Sequence, residues 1–197
     1  MKPVGSLGPR TLTGRFIALE PLEARHLHDL RAAAGSDPQN FVHVPPGGNP
    51  TDFAAWLGNV QRAIARGDRM TFAVRRATDG AIVGCTSYHE ILPQDARVEI
   101  GGTWYIRDAQ GGPINPEAKL LLLANAFDAG YNCVFLKTDS RNARSRAAIT
   151  KLGAKFDGIL RGHLWREDAG YFRDTAYFSI LASEWPDVKA GLERRLA

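Results

Sequence analysis

The chain has very little cysteine and no long hydrophobic run. Only Cys85 and Cys133 occur among its 197 residues, each within a predicted strand, and neither has a metal-ligating neighbour. We therefore expect free thiols in the core of a protein of the reducing cytoplasm, and no metal site. The apolar stretches are too short to cross a membrane. The start from Met1 to Gly5 also lacks the apolar segment of a secretory signal, which again predicts a cytoplasmic protein.

The charge of the chain is only mildly basic. The formal net charge is +4, the sequence pI is near 9.3, and the Lys and Arg residues are scattered. The one local cluster, Arg141, Arg144 and Arg146, fits a solvated helix start about as well as a set of phosphate contacts. We expect no nucleic acid and no membrane as partner, and a nucleic-acid-binding module is the weakest of the functional alternatives.

Hydrophobic periodicity predicts strands and helices along the whole chain. The predicted strands span 15–20, 70–76, 81–91, 96–106, 133–138, 155–160 and 171–181, and the predicted helices span 22–34, 51–66, 117–127, 142–152 and 183–196. The order predicts one α/β (α+β-like) domain over residues 1–197. We expect a mixed, mostly antiparallel sheet of six to seven strands with helices on both faces, and a parallel pair around the helix at 117–127. Residues 1–10 are expected to be flexible.

A glycine-rich turn leads from a predicted strand into the central helix. It begins at Gln110, contains Gly111 and Gly112, and offers Asn115 as an N-cap and Pro116 as a first helical residue. Free backbone N–H groups and the positive end of the helix dipole bind anions, phosphates above all. The turn therefore predicts a site for the pyrophosphate of a nucleotide-containing cofactor.

Three motifs and the element order together resemble the GNAT superfamily of N-acetyltransferases, most closely its RimJ/RimL type. The turn at 110–115 is similar to the family's Gln/Arg-x-x-Gly-x-Gly/Ala pattern. Residues 142–145 and 151–154 are similar to its Asn-x-x-Ser and Lys-Leu-Gly-Ala signature, and 173–175 suits its last strand. The resemblance extends from residue 10 to about 196. It implies the GNAT fold, acetyl-CoA or another acyl-CoA such as succinyl-CoA as co-substrate, direct transfer to a primary amine, and no metal.

The resemblance also implies a set of cofactor-binding residues. The backbone of the strand before the turn would meet the pantetheine amides, the turn would hold the pyrophosphate, and the start of the helix at 142–152 would contact the pantetheine or phosphate arm. These positions are Trp104, Tyr105, Ile106, Gln110, Gly111, Gly112, Ile114, Asn115, Asn142 and Ser145.

Two residues depart from the family pattern. Pro113 stands where relatives have a glycine, and it has no N–H for a phosphate oxygen. Ile149 stands where many relatives have a tyrosine that protonates the leaving thiolate. Ser145 is then the remaining candidate donor, although a hydroxyl at a helix start is more often a capping or packing group. Both departures motivate an alternative, a GNAT-like protein that binds acyl-CoA without catalysis.

Glu99 is the candidate general base, because family members often have a carboxylate on the strand before the turn. The alternative is an ion-paired strand carboxylate, and Glu90 and His89 are weaker candidates. The acceptor amine is expected to be a protein N-terminus, a lysine or a small amine. The wall of the acceptor site would come from the loops at 35–50 and 162–171 and the helix at 51–66. Its residues could equally be core packing or the interface of an expected homodimer. They are Phe41, His43, Trp56, His163, Trp165, Arg166 and Tyr171.

Overall fold

The computed structural model describes residues 4–45 and 48–197, and within them the chain forms one eight-stranded sheet. Its strands are β1 (Leu12–Thr13), β2 (Ile17–Pro21), β3 (Arg69–Arg76), β4 (Ile82–Leu92), β5 (Arg97–Tyr105), β6 (Cys133–Asp139), β7 (Lys155–Arg166) and β8 (Tyr171–Leu181). Their order across the sheet is β1-β2-β3-β4-β5-β6-β8-β7. Only β5 and β6 run parallel among these neighbours, which confirms the predicted crossover.

The α-helices cover both faces of this sheet, as predicted. They are α1 (Leu27–Gly35), α2 (Phe53–Ala65), α3 (Ile114–Asp128), α4 (Ala143–Leu152) and α5 (Trp185–Leu196). Helices α1 and α2 share an apolar cluster with Cys85 and Trp104, whereas α3, α4 and α5 pack with Val98, Leu136 and their neighbours on the opposite face. No helix in the described ranges has the length and apolar character of a membrane-spanning segment.

Local signals in the sequence explain where helix α2 begins and ends. Asp52 accepts a hydrogen bond from the N–H of Ala55 and so caps the first turn. Phe53, Trp56 and Val60 recur at helical spacing and form the buried stripe of the helix. The chain leaves the helix through Gly67, whose φ of +78° suits glycine in particular.

The parallel pair β5 and β6 separates soon after it forms. The strands are in register only at Arg97 with Cys133, Val98 with Val134 and Glu99 with Phe135. Beyond these pairs β5 stays with β4 and β6 stays with β8. We call the resulting gap between residues 100–105 and 136–139 the cleft, and it opens towards the turn at 110–113.

Several boundaries differ from the predictions. Strand β1 was not predicted, and β7 runs to Arg166 rather than residue 160, so the connection to β8 is only residues 167–170. Cys85 is buried, but Cys133 is only half-buried at the start of β6, so the prediction of two core thiols holds for one of them.

Residues 4–10, part of the segment for which the sequence predicts flexibility, contact the rest of the fold. Leu7 is buried, the N–H of Gly5 donates to the Ala129 carbonyl at 2.6 Å, and Arg10 donates to Asn125. The N-terminal segment gains these contacts because it returns to α3, which sequence periodicity does not reveal. Residues 1–3 of that prediction, and 46–47 of the predicted loop at 35–50, lie outside the described residues.

A buried carboxylate fixes α3 against β2. Glu117, which is 4% exposed, accepts hydrogen bonds from the backbone N–H groups of Arg15, Phe16 and Ile17 at 2.7, 2.7 and 2.8 Å. A Cβ atom at Gly14 would lie 2.6 Å from each carboxylate oxygen, so glycine is what allows this approach. The contact holds the first turn of α3 in place beside the cleft.

Replacing Glu117 with glutamine is expected to lower the free energy of unfolding by about 2–4 kcal/mol, because the three N–H groups lose a charged acceptor and meet an amide that also donates. Urea denaturation measures this change. The matched control is Glu193→Gln on the exposed side of α5, which is expected to stay within about 0.5 kcal/mol of the unmodified protein. Equal midpoints for both variants would contradict this account of Glu117.

Candidate active site

Glu99 lies at the closed end of the cleft, in an ion pair. Its Oε2 is 2.9 Å from Nζ of Lys137, and the same ammonium also pairs with Glu90. Burial raises the pKa of Glu99, and the charge of Lys137 opposes that shift only in part. Glu99 thus forms the ion pair that was the alternative to a role as general base. The raised pKa of Glu99 makes its carboxylate a stronger base than a free one.

His89 lies opposite Glu99 in the β4–β5 ladder and is half-buried. Its Nε2 has no hydrogen-bond partner among the described residues. Burial, together with the charge of Arg69, moves the pKa of His89 well below its usual value, so the imidazole is neutral at pH 7. The neighbouring guanidinium of Arg69 is held by Thr71 and Ser87.

Two glycines of β5 make room for these side chains. A Cβ atom at Gly101 would lie 2.5 Å from Oε1 of Glu99, and one at Gly102 would lie 2.8 Å from Nε2 of His89. Gly102 also has a φ of +57°, within an irregular stretch of the β4–β5 register. The backbone bulge and the absence of side chains therefore bring the carboxylate and the imidazole to the same stretch of strand.

The glycine turn lies at the open end of the cleft. Gly111 has a φ of +79°, and a Cβ atom at Gly111 or Gly112 would meet no atom within 4 Å. Helix α3 begins at Ile114, with Pro113 as its N-cap residue. The N–H groups of the first helical residues, Ile114 and Asn115, have no acceptor within the helix and remain for other partners.

Asn115 is not the N-cap that the sequence predicts. It lies inside the first turn of α3, and its Oδ1 accepts a long 3.4 Å hydrogen bond from the hydroxyl of Tyr105. The helix starts three residues before the predicted position because Pro113 already adopts helical dihedrals and its carbonyl accepts from the N–H of Glu117. The predicted role of Asn115 as a cap is therefore wrong.

The side chain of Gln110 connects the turn to two other elements. Its Nε2 donates to the carbonyl of Tyr105 at 2.8 Å, and its Oε1 accepts from Arg144 at the start of α4. Asn142 is the N-cap of α4, since its Oδ1 accepts from the N–H of Ser145 at 3.0 Å. The turn and the start of α4 thus lie together at the mouth of the cleft.

Several backbone groups of Trp104, Tyr105 and Ile106 are already engaged. Trp104 pairs with Cys85, and the N–H of Ile106 donates to Val83 at 2.9 Å. The carbonyl of Tyr105 accepts from Gln110 and from Asn40. A ligand in the cleft would have to displace Gln110 or Asn40 to bind this carbonyl.

The predicted acceptor wall divides into core and surface residues. Phe41 packs edge-on against Trp104 with ring centres 5.5 Å apart, and Trp56 is buried beside Phe53. The exposed Trp165 contacts Phe172 instead. Three other members of that wall lie beside the cleft: His163 bonds to Thr175, Arg166 to the Val42 carbonyl and Tyr171 to Asp139. His43 lies in the loop at 35–50, which the structure describes only in part.

Lys119 is a buried residue that the sequence reasoning missed. Its Nζ donates to Oγ1 of Thr103 at 2.7 Å, and Thr103 in turn shares a 2.7 Å hydrogen bond with Thr86. Burial lowers the pKa of Lys119 to about 7, with Glu99 opposing the shift. Lys119 comes directly before the apolar run 120–124 and Lys137 directly after the apolar run 133–136, and a charged residue beside such a run is a signal that could have identified both.

Ile149 lies in the core among α4, α5 and the sheet, and no metal site forms within the described part of the chain. The side chain of Ile149 is buried in the larger apolar cluster. No group of three or more His, Cys, Asp or Glu residues converges to hold a metal ion in residues 4–45 and 48–197. The titratable groups that do converge are carboxylates, ammonium and guanidinium groups and imidazoles.

Known proteins share both the sequence family and the fold of this chain. A profile described as an acetyltransferase (GNAT) domain matches residues 17–155. A GCN5-related N-acetyltransferase from Brucella melitensis is 30% identical with a TM-score of 0.88, and the match covers 100% of this chain and 90% of that one. A protein of T. thermophilus assigned to the acetyltransferases is 34% identical with a TM-score of 0.82, covering 96% and 98%.

The resemblance to the RimJ/RimL type is more distant. Mycobacterium smegmatis RimJ, in complex with CoA-disulfide, matches with a TM-score of 0.75 over 98% of this chain and 92% of that one, but at 21% identity. That likeness shows the fold alone. A search of curated proteins gives no match. Because the family profile spans more than half of the chain and agrees with the strand order, the cleft and the turn, the chain belongs to the GNAT family of N-acetyltransferases.

Proposed function

We propose that the protein transfers an acetyl group, or a longer acyl group such as succinyl, from acyl-CoA directly to a primary amine. The observation that carries this proposal is the cleft itself, which has a glycine turn and a helix N-terminus at its mouth and a buried carboxylate at its closed end. Glu99 and Tyr105 lie six residues apart on β5, roughly 20 Å at about 3.3 Å per residue. An extended pantetheine arm spans such a length.

The coenzyme would bind with its pyrophosphate at the turn and its pantetheine arm along the cleft. The N–H groups of Gly111, Gly112, Ile114 and Asn115 would face the phosphates, and the open space at both glycines lets the backbone approach them. Gln110 supports the turn. The remaining proposed contacts are the backbone of Trp104, Tyr105 and Ile106 and the start of α4 at Asn142 and Ser145.

Glu99 is proposed as the group that accepts the proton of the acceptor ammonium, directly or through water. Its raised pKa makes Glu99 a stronger base than a free carboxylate, and the neutral His89 beside it can relay a proton. The free amine then attacks the thioester carbonyl and expels the thiolate. Ser145 is the proposed donor to that thiolate, because Ile149 cannot supply a proton.

The acceptor and the cellular setting are parts of this proposal. We infer a protein N-terminus, a lysine or a small amine as acceptor, in the manner of RimJ/RimL-type enzymes, and a cytoplasmic location that suits the free thiols of Cys85 and Cys133.

Release of free thiol from acetyl-CoA with a panel of amines tests the reaction. Binding of acetyl-CoA with no turnover on any amine would favour the non-catalytic alternative.

Replacing Glu99 with glutamine is expected to lower kcat/KM by roughly 10²- to 10⁴-fold, because the variant cannot accept the ammonium proton. In the unmodified enzyme, activity is expected to fall as the pH drops through the raised pKa of Glu99, so the acid limb lies above pH 4.5. Thiol release measured across pH 5–9 reveals both effects.

The control for Glu99 is Glu90→Gln, which removes the more exposed partner of the same lysine. This variant is expected to keep the acid limb and most of the activity. If Glu99→Gln were as active as Glu90→Gln at every pH, Glu99 would be an ion-pair partner only.

Replacing Pro113 with alanine is expected to strengthen coenzyme binding. The φ of −76° suits alanine, so the substitution adds an N–H group at the phosphate position without changing the backbone. One charge-assisted hydrogen bond is worth about 1.5–3 kcal/mol, so the Kd for CoA should fall by about tenfold or more. Titration calorimetry with CoA measures it, and Pro186→Ala at the start of α5 is the control. An unchanged Kd in both variants would place the pyrophosphate elsewhere.

A homodimer through β7 is also proposed. This strand is at the edge of the sheet and has exposed apolar side chains, with Trp165 54% and Phe172 65% exposed beside its end. A second copy would cover them. The exposed apolar residues of this surface are Phe156, Ile159, Leu160, Leu164, Trp165 and Phe172.

The variant Leu160→Glu is expected to be monomeric, because an isologous contact would desolvate the new carboxylate twice. Light scattering after size-exclusion chromatography measures the mass. The control is Leu181→Glu, which lies outside β7 and is expected to leave the mass unchanged. A monomeric mass for the unmodified protein would overturn the proposed dimer.

A further inference from the structure

Arg173 of β8 is a buried cation without a partner. Its side chain is 7% exposed, and its Nε is buried without a hydrogen-bond partner among residues 4–45 and 48–197. Burial lowers the pKa of Arg173, and the charge of Asp139 compensates only in part. Leaving a buried guanidinium nitrogen unbonded destabilises the fold, so a charge in this situation needs a separate reason to be there.

The carboxylate with the largest effect on Arg173, Asp139, is already bonded to other residues. Asp139 accepts from the backbone N–H, Nε and Nη2 of Arg141 and from the hydroxyl of Tyr171. Its charge therefore compensates the charge of Arg173 only in part.

A second unbonded guanidinium atom lies on the same stretch of the sheet. Arg166, which is 3% exposed, is in register with Tyr171, two residues from Arg173. Its Nη1 has no partner among the described residues. Its Nη2 also donates to the Val42 carbonyl in the loop between α1 and α2, which places this pair of arginines on the acceptor side of the sheet.

Arg173 is within electrostatic reach of the proposed base. The carboxylate of Glu99 acts on the pKa of Arg173, and both Lys137 and Arg173 act on His163, whose pKa burial already lowers. In the ladders Glu99 is level with Phe135 on β6 and Ser179 on β8, and Arg173 lies six residues further along β8, so the two backbones are about 20 Å apart at about 3.3 Å per residue. One acceptor molecule can therefore contact both groups only through their long side chains and with its own charged ends many bonds apart.

We propose that the acceptor amine also carries an anionic group, a carboxylate or a phosphate, and that Arg173 with Nη1 of Arg166 binds it. This inference rests on the proposed acyl transfer at Glu99. A guanidinium presents a planar set of N–H donors that matches carboxylate and phosphate oxygens. The acceptor's ammonium lies towards Glu99 and its anion lies between the two arginines, which neutralises the buried charge only when substrate is present.

The test compares amines of equal length with and without an anion. The probes are ω-amino carboxylates from glycine to 6-aminohexanoate, aminoalkyl phosphates, and the corresponding n-alkylamines, each assayed by thiol release from acetyl-CoA. The enzyme is expected to prefer one anionic series over the matched alkylamines, with an optimum among the longer members of that series. Equal kcat/KM for anionic and neutral amines would overturn the proposal, and the better anionic series distinguishes carboxylate from phosphate.

Arg173→Met is expected to raise KM for the anionic amines roughly 10- to 100-fold, the value of a charged hydrogen bond, and to leave the alkylamines unchanged. Arg173→Lys is expected to restore part of the preference. The matched control is Arg161→Gln on the exposed surface of β7, which is expected to change neither series. A Kd for CoA that rises with Arg173→Met would assign the arginine to the coenzyme and overturn the proposal.

Stability separates a substrate-binding arginine from a structural one. Because Arg173 has no partner to lose, Arg173→Met is expected to keep or raise the midpoint of thermal unfolding, whereas removal of a structural arginine would lower that midpoint.

If no amine is acetylated, the proposed function fails, and a binding measurement then tests the anion site separately. Chemical-shift changes on adding 4-aminobutyrate or aminoethyl phosphate, lost in Arg173→Met, support the anion site, and no change with either probe overturns it.

Discussion

The separation of β5 from β6 is the constraint on which the rest of the site depends. Three pairs of residues hold the two strands together, and beyond them β5 pairs only with β4 and β6 only with β8. A gap in the middle of a sheet leaves backbone N–H and C=O groups available to a ligand with amides of its own. The same gap brings a strand carboxylate, Glu99, and a helix N-terminus, at Ile114, to its two ends.

The buried charges around this gap are arranged for binding rather than for stability. Glu117 is fully satisfied by three N–H groups, and it holds α3 where the turn needs it. By contrast, Nε2 of His89 and Nε of Arg173 lack hydrogen-bond partners among the described residues. Proteins tolerate such groups where a ligand completes them, at a cost in stability.

The fold was more predictable than the site. Helix α2 could be located from Asp52, its apolar stripe and Gly67 because those signals act over a few residues. The parallel pairing of β5 and β6 was predicted from the single helix between them. The prediction failed where tertiary contacts extend or shift an element: β7 continues to Arg166 because β8 pairs with it, and α3 starts early because Pro113 already has helical dihedrals.

The sequence by itself determined the local features, namely the glycine turn, the cap at Asn142 and the order of the elements, since each depends on the conformational preferences of adjacent residues. Only the tertiary structure decided which charges meet. Lys137 reaches Glu99 because a parallel pairing aligns strands that are far apart in the chain. Arg173 stays unpartnered because the nearby carboxylates bond to other arginines. Such pairings depend on strand register and on competition among side chains, and neither is encoded in any short segment of the sequence.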